Sequence, residues 1–255
     1  MGLIKTKGIV IGVANSADND KVLTILTPDL GKISAFCKGA KKSKSALLNS
    51  TEYLAFSEII IYKSANDNYS INSAEVIEVF YNLRIDIEKL NYATTISKII
   101  YDVTQENEPA GEILQLFLNT LYILSETNKN MDLVLSIFEI RLLAIIGFLP
   151  NVARCVNCGA QMTEDMNDFY FSIKDDGVKC EACQKLDKGI LHLSKTSFSA
   201  LIYVLSCDSK KLFSFEIPEE AIEELKLLSK IYITQKLEKE YLVQKYWLST
   251  KSIIN

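Results

Sequence analysis

The strongest constraint this chain places on its own fold is a doubled cysteine pair. Cys155 and Cys158 sit in R-C-V-N-C-G, and Cys180 and Cys183 sit in K-C-E-A-C-Q, with 21 residues between the pairs. Two residues between thiolates let one tight turn aim both sulfurs at a single point. A second such turn completes a tetrahedron around a zinc ion, at Zn–S distances of roughly 2.3 Å. Asn157, Gly159 and the small Ala182 suit these turns. A four-thiolate shell leaves no position open to water or substrate, so one structural zinc is expected. Between the pairs, Phe169–Ile173 reads as a strand and Asp175-Asp176-Gly177 as a turn, which make a small ribbon. Cys37 and Cys207 lie far off in sequence and read as small core residues.

With 48% hydrophobic residues in 255, the chain has material for a sizeable core and is not intrinsically disordered. The most apolar stretch, Leu133 to Leu149, contains Glu139 and Arg141 and falls short of the roughly 18 to 20 uncharged apolar residues that span a bilayer, so it reads as a buried helix. The opening M-G-L-I-K-T-K-G-I-V lacks an apolar core segment and a small-residue cleavage site. A cytoplasmic location is expected, and with it reduced cysteines.

The net charge of -4 hides an asymmetry. Residues 1–64 carry nine lysines and five acids, leaving 19 basic and 27 acidic side chains in the remainder. A local cationic patch that attracts phosphates is therefore compatible with an acidic chain.

The fold class reads as α+β. Ile9–Ala14, Lys21–Thr27, Lys32–Lys38, Glu52–Lys63 and Tyr69–Phe80 are rich in Ile, Val, Tyr and Phe and are separated by turn formers. Thr27-Pro28-Asp29-Leu30-Gly31 suits a hairpin, because Pro presets one turn angle and Gly accepts a positive φ. Five short strands in about 80 residues suggest a closed barrel of the oligonucleotide-binding (OB) type. After Asn82 the apolar spacing becomes helical, through Ile85–Val103, Ile113–Leu124 and the long apolar helix that Gly147 and Pro150 close. Helices resume over Thr196–Ser206 and from Pro218 through Leu248, where Glu219, Glu220, Glu223 and Glu224 favour the helix start. The expected domains are a barrel over 1–80 and a helical domain over 81–255 that contains a zinc-finger segment, 151–190, with the two packed directly on each other.

The segment best suited to a partner is K-I-S-A-F-C-K-G-A-K-K-S-K, Lys32 to Lys44. In a strand, Lys32, Ser34, Phe36 and Lys38 share one face, and Ile33, Ala35 and Cys37 the other. Lysines beside an aromatic ring suit phosphate attraction and base stacking on single-stranded nucleic acid. Lys41, Lys42 and Lys44 follow in a basic loop. On spacing alone, Phe36 can equally cap the barrel core while the lysines keep a loop soluble. The absence of a base-reading helix points to contacts that position a strand without reading its sequence.

Catalysis finds little support. G-A-K-K-S-K-S lacks the elements of a phosphate-binding P-loop, and G-x-S-x-G, H-E-x-x-H and G-x-G-x-x-G are missing from the sequence. The single histidine, His192, sits in L-H-L and reads as structural. The chain is expected not to be an enzyme.

The run D-N-D-K-V-L-T-I-L-T-P-D-L-G-K-I-S-A-F-C-K-G-A-K-K-S-K-S, then S-A-E-V-I-E, F-E-I-R-L-L-A-I-I-G-F-L-P-N and C-V-N-C-G…C-E-A-C, resembles the RecO family of bacterial recombination mediators, in order and over nearly the whole chain. The resemblance implies an N-terminal OB-fold, a helical domain and a zinc finger. It also implies binding of single- and double-stranded DNA, strand annealing in the RecF pathway of DNA repair, and loading of RecA, with RecR, onto DNA coated by the single-strand-binding protein SSB. Such a protein works at the bacterial nucleoid. The family's DNA contacts fall by motif on Lys21, Lys32, Lys38, Lys41, Lys42 and Lys44. Where the family's basic loop carries arginines this chain has lysines, which bind phosphate as point charges. Arg141, on the long helix, is a candidate for the basic wall of a pocket for the SSB C-terminal tail, or else a buried ion-pair partner. A zinc-containing protein scaffold without a direct DNA role and a metal-dependent nuclease are the alternative readings.

Overall fold

The computed structural model describes residues 2–16, 19–41, 47–163, 166–185 and 189–243. It opens with five strands, β1 (Gly2–Asn15), β2 (Lys21–Thr27), β3 (Gly31–Cys37), β4 (Phe56–Lys63) and β5 (Tyr69–Glu78), closed into a barrel in the order β1-β2-β3-β5-β4. The neighbouring pairs are antiparallel except β3 with β5, which run parallel. Alternation does the sorting. Val10, Leu23, Ile25, Ile33, Ala35, Cys37, Ile59 and Ile61 fill the interior, and the residues between them face outward.

Two barrel boundaries differ from the sequence reading. β1 begins at Gly2 rather than Ile9, because Leu3, Lys5 and Lys7 line the outer face of a strand that pairs along its length with β4. Lysines alternating with Ile4 and Thr6 disguise it. β4 begins at Phe56 rather than Glu52: residues Asn49–Thr51 form a single 3-10 turn, and Leu54 takes a left-handed φ of 63°.

The helical body comprises α1 (Tyr81–Ile85), α2 (Ile87–Val103), α3 (Gly111–Glu126), α4 (Met131–Ile145), the short α5 (Glu181–Gln184), α6 (Lys195–Ser206) and α7 (Glu219–Leu237). Polar residues start several of them: Asp86 accepts from the N–H groups of Glu88 and Lys89, Asn130 from Leu133 and Ser194 from Ser197. α4 is apolar nearly all round and is buried accordingly, ending before Gly147 at φ 97°. The helix expected to run to Leu248 is shorter: α7 stops at Leu237, where Glu238 turns left-handed, residues 239–243 are not helical, and residues 244–248 lie outside the described residues. Among the described residues, no helix is long and apolar enough to cross a membrane.

Beside the barrel's own interior, a second and larger core joins barrel to helices. Ile9, Ile11, Leu26 and Leu54 pack in the same apolar cluster as α2, α3 and α4. The β2–β3 turn is tied to the segment between α2 and α3: Lys32 N–H donates to Gln105 O at 3.0 Å, Asn107 N–H to Leu30 O at 3.0 Å and Ala110 N–H to Pro28 O at 2.8 Å. Gly31, at φ 64°, lies so close to the carbonyls of Gln105 and Glu108 that a side chain has no room there.

A second sheet, β6 (Asp168–Ser172), β7 (Gly177–Lys179) and β8 (Ile190–Ser194), has the order β7-β6-β8 and is entirely antiparallel. It leans on the helices through stacked Phe169 and Phe198, with centroids 3.7 Å apart, and through Phe171 edge-on to Tyr232 at 5.5 Å. His192 is exposed on β8 and pairs with Asp168 at 2.6 Å, tying β8 to β6.

Candidate metal centre and nucleic-acid interface

The four cysteines of the doubled pair meet at one end of this sheet. Their sulfurs lie within 4.8 Å of one another, and those of Cys158 and Cys180 are 3.7 Å apart. A regular tetrahedron with Zn–S bonds of roughly 2.3 Å has S···S edges of about 3.8 Å. The donor set therefore fits a single tetrahedral ion. Local hydrogen bonds build each half. Gly159 N–H closes the first turn on Cys155 O at 2.9 Å, with Gly159 at φ 76°, while Cys183 and Gln184 N–H groups both return to Cys180 O at 3.0 Å. The two halves are held together by Val156 N–H donating to Val178 O at 2.9 Å and by Asn151 bonding residues 176 and 178 of the hairpin.

Burial disfavours the thiolate of Cys155, but N–H groups of Cys158, Cys180 and Asn157 outweigh it and bring the thiol down to about 6. Cys158 moves the other way, to about 11: the Ala160 N–H favours its thiolate, yet the three neighbouring thiols oppose it. Neighbouring thiolates at this spacing need a cation between them. Asn157 adds an amide N–H 3.3 Å from the sulfur of Cys183, a ligand-orienting contact beyond the turn role its sequence suggested.

The outer face of the barrel carries the other candidate residues. Phe36 and Lys38 point outward on and just beyond β3, with Phe36 39% exposed. Asp20 accepts from Gly39 N–H at 2.7 Å, and Lys41 N–H donates to Asn19 O at 3.0 Å, so the start of the basic loop is fastened to the β1–β2 connection. Among the described residues, neither the Lys38 nor the Lys41 ammonium meets a carboxylate. Lys42 and Lys44 lie outside the described residues.

Three other candidates are placed elsewhere. Lys21 shares the inward parity of Leu23 and Ile25 and is 7% exposed. Its ammonium bonds Glu52 at 2.9 Å and Thr51 Oγ1 at 3.5 Å, which takes it out of the outward basic set. The K-V-L-T-I alternation carries that signal. Lys32 faces outward, but its ammonium is seated at the seam with α2, donating to Tyr101 O at 2.6 Å and lying 4.1 Å from the Tyr101 ring centroid. Arg141 is likewise held by backbone carbonyls. Its guanidinium donates to Val204 O and Leu205 O at 3.0 Å and to Cys207 O at 3.1 Å, capping the C-terminal carbonyls of α6.

The sequence reading did not single out Tyr62 or Leu3. Cross-strand register puts Phe36 opposite Val22 on β2 and Ser70 on β5; Ser70 in turn faces Tyr62 on β4, and Tyr62 faces Leu3 on β1. The signal was the alternation of I-I-I-Y: with Ile59 and Ile61 inside, Tyr62 must stand outside.

A closed five-stranded barrel carried on a helical body that bears a ribbon with four thiols placed to hold a metal ion defines the class of protein to which this chain belongs. Comparison with known proteins narrows the class. Residues 1–80 match the family model described as recombination protein O N terminal, and residues 84–245 match the one described as recombination protein O C terminal. A DNA repair protein RecO from Acetivibrio thermocellus is 42% identical over 241 residues, 94% of each chain. One from Caldicellulosiruptor bescii is 32% identical over 240 residues, covering 94% of this chain and 96% of its own. Another from Alkaliphilus metalliredigens is 30% identical over 237 residues, 93% of this chain and 95% of its own. The chain belongs to the RecO family of DNA repair proteins.

Proposed function

We propose that this protein is a recombination mediator that holds single-stranded DNA on the outer face of the barrel, anneals complementary strands and, with RecR, helps load RecA onto SSB-coated DNA. The observation that carries the reading is the outward placement of Phe36 and Lys38, followed closely in sequence by the half-exposed Lys41, with neither ammonium meeting a carboxylate among the described residues. A ring beside cations takes a base and its phosphates without reading sequence. Lys42 and Lys44 extend this set in sequence, and duplex DNA is held through the same phosphate contacts.

Annealing needs no covalent chemistry. Ammonium groups neutralise two phosphate backbones, which lowers the repulsion between strands while base edges stay free to pair. The ion held by Cys155, Cys158, Cys180 and Cys183 is read as zinc. Its part is to lock the ribbon against the helices, since four thiolates complete its shell. The acidic C-terminal tail of SSB would dock on the helical body. The site of action is the cytoplasm, at the nucleoid.

The test is annealing of SSB-coated complementary oligonucleotides by the parent protein and by a Lys38→Ala, Lys41→Ala variant. The parent should anneal them and the variant should do so several-fold more slowly. Equal rates would remove the barrel face from the reaction.

A further inference from the structure

On the barrel surface, Phe36 is only one member of a row. Tyr62 is 40% exposed and Leu3 is 65% exposed, and the register places Phe36, Ser70, Tyr62 and Leu3 side by side on four adjacent strands. The residue between the two rings is a serine, so no bulky side chain separates them. Two strand spacings put the Phe36 and Tyr62 backbones about 9.5 Å apart.

Charge brackets this shelf. Lys38 lies two residues beyond Phe36 on the same face. Lys63, next to Tyr62 and of the opposite parity, ends β4 with its ammonium 5.6 Å from the Tyr69 ring centroid, and its only carboxylate partner among the described residues is the highly exposed Asp67 at 3.0 Å. A solvent-exposed pair of that kind is worth little and is readily exchanged for a phosphate. Acids lie further along the same strands. Glu58 faces Glu75 across β4 and β5, four residues from Tyr62 and five from Ser70, and Glu58 also pairs with Lys5 at 2.7 Å. A polyanion is thereby kept to the ring-bearing end.

We infer that Tyr62 is a second base-stacking residue, and that single-stranded DNA crosses the barrel from β3 over β5 to β4, with one base on Phe36 and another on Tyr62. The inference rests on the proposed DNA-binding role and specifies its path. Rings carried outward on backbones about 9.5 Å apart hold two bases splayed from each other rather than stacked together. Each base then presents its pairing edge to an incoming strand, which is what annealing requires. Leu3 closes the row as an apolar stop.

The test is binding of a fluorescently labelled 20-nucleotide oligo(dT), and of an abasic oligonucleotide of equal length, by the full chain and its Tyr62→Ala, Tyr62→Phe and Phe36→Ala variants across a salt series. Loss of one stacked base should weaken oligo(dT) binding by Tyr62→Ala roughly 5- to 150-fold. The salt slope should stay that of the parent, because every phosphate keeps its ammonium partner. Tyr62→Phe should bind within about twofold of the parent. The preference for oligo(dT) over the abasic strand should shrink in Tyr62→Ala.

Parent-like binding by Tyr62→Ala, with Phe36→Ala and the Lys38→Ala, Lys41→Ala protein both weakened, would end the row at Phe36 and leave the proposed function standing. Equal losses in Tyr62→Phe and Tyr62→Ala would assign the contact to the hydroxyl and overturn stacking. Unchanged binding in every variant would overturn the barrel reading itself. If Tyr62→Ala melts lower than the parent, the Tyr62→Phe comparison and the parent's preference for bases over abasic sites still decide the matter.

Discussion

Ser229 on α7 donates a 2.6 Å hydrogen bond to the carboxylate of Glu139 on α4, at a point where both side chains are buried. Burial raises the Glu139 carboxyl to about 7, against the partial relief given by Ser229 and Lys230. A carboxylate in an apolar helix seam is thus kept protonated through the acidic range.

Stability should respond to pH accordingly. Below the unfolded value of 4.5, Glu139 is protonated in both states and costs nothing. As pH rises from there to about 7, the unfolded chain ionises first and the native state loses stability, on the order of 3 kcal/mol for this group. Glu139→Gln keeps the shape and the acceptor for Ser229 but cannot ionise. The variant should therefore gain on the parent as pH climbs from 5 to 8, read as the difference between their melting temperatures. A constant difference across that range would show that the Glu139 carboxyl ionises at the same pH in the folded protein as in the unfolded chain, so that burial does not raise it.

Gly31 fixes the barrel to the helices. Its φ of 64° suits glycine, and an added methyl group meets the carbonyls of Gln105 and Glu108. Gly31→Ala should cost about 1–3 kcal/mol through backbone strain and displacement of the 105–108 segment. Denaturant unfolding checks this, with the strain appearing as a lower midpoint. A midpoint within error of the parent would mean that the β2–β3 turn is free to move off the helical body.

Much of this architecture was readable locally. The barrel's period-two alternation, the Pro28–Gly31 turn and the cysteine spacing each follow from residues close in sequence, and all three appear in the fold. What sequence concealed depends on distant partners. Lys21 is basic in composition yet points inward, to a carboxylate 31 residues away. Arg141 resembles a free cation on an apolar helix until the end of α6, 63 residues on, arrives beneath it. The first half of β1 escaped because its outer face alternates lysines with inward residues, and only pairing with β4 reveals it. Tyr62 read as one more apolar residue of a strand, because its alternation with Ile59 and Ile61 points it outward only once those two are known to face in.

The cysteine cluster predicts one zinc per chain by elemental analysis. Removing the ion with a chelator, or Cys155 by Cys155→Ser, should lower the melting temperature while much of the helical signal in circular dichroism persists, because α2, α3 and α4 share a core in which the sulfurs take no part. Chelation should also expose the thiols to a maleimide reagent, beginning with the already exposed Cys158. Native protein free of zinc, with an unchanged melt after chelation, would contradict a metal centre here.

Arg141 gives a prediction that separates structure from docking. Its guanidinium satisfies three carbonyls at the end of α6, so Arg141→Ala should destabilise the protein by about 1–3 kcal/mol. Arg141→Lys supplies a single ammonium in place of a planar fork and should recover only part of that loss. Unfolding midpoints measure both. A variant that keeps the parent midpoint would return Arg141 to the pool of residues available to a partner.

Lysines on the barrel should divide into two groups by the same logic. Lys21 is buried against Thr51 and reaches the half-exposed Glu52, so Lys21→Ala should lower stability by about 1–3 kcal/mol, leaving the salt dependence of DNA binding as it was. Lys38 is exposed, Lys41 is half-exposed, and neither has a carboxylate partner among the described residues. Replacing both with alanine should leave the melt nearly unchanged and flatten the dependence of log binding constant on log salt by roughly 0.7 for each phosphate that is no longer neutralised. Titration of labelled single strands between low and physiological salt reads both slopes on the same samples used for melting. If Lys21→Ala flattened the slope while folding normally, its ammonium would have to reach solvent, and the inward parity of β2 would be wrong at its first residue.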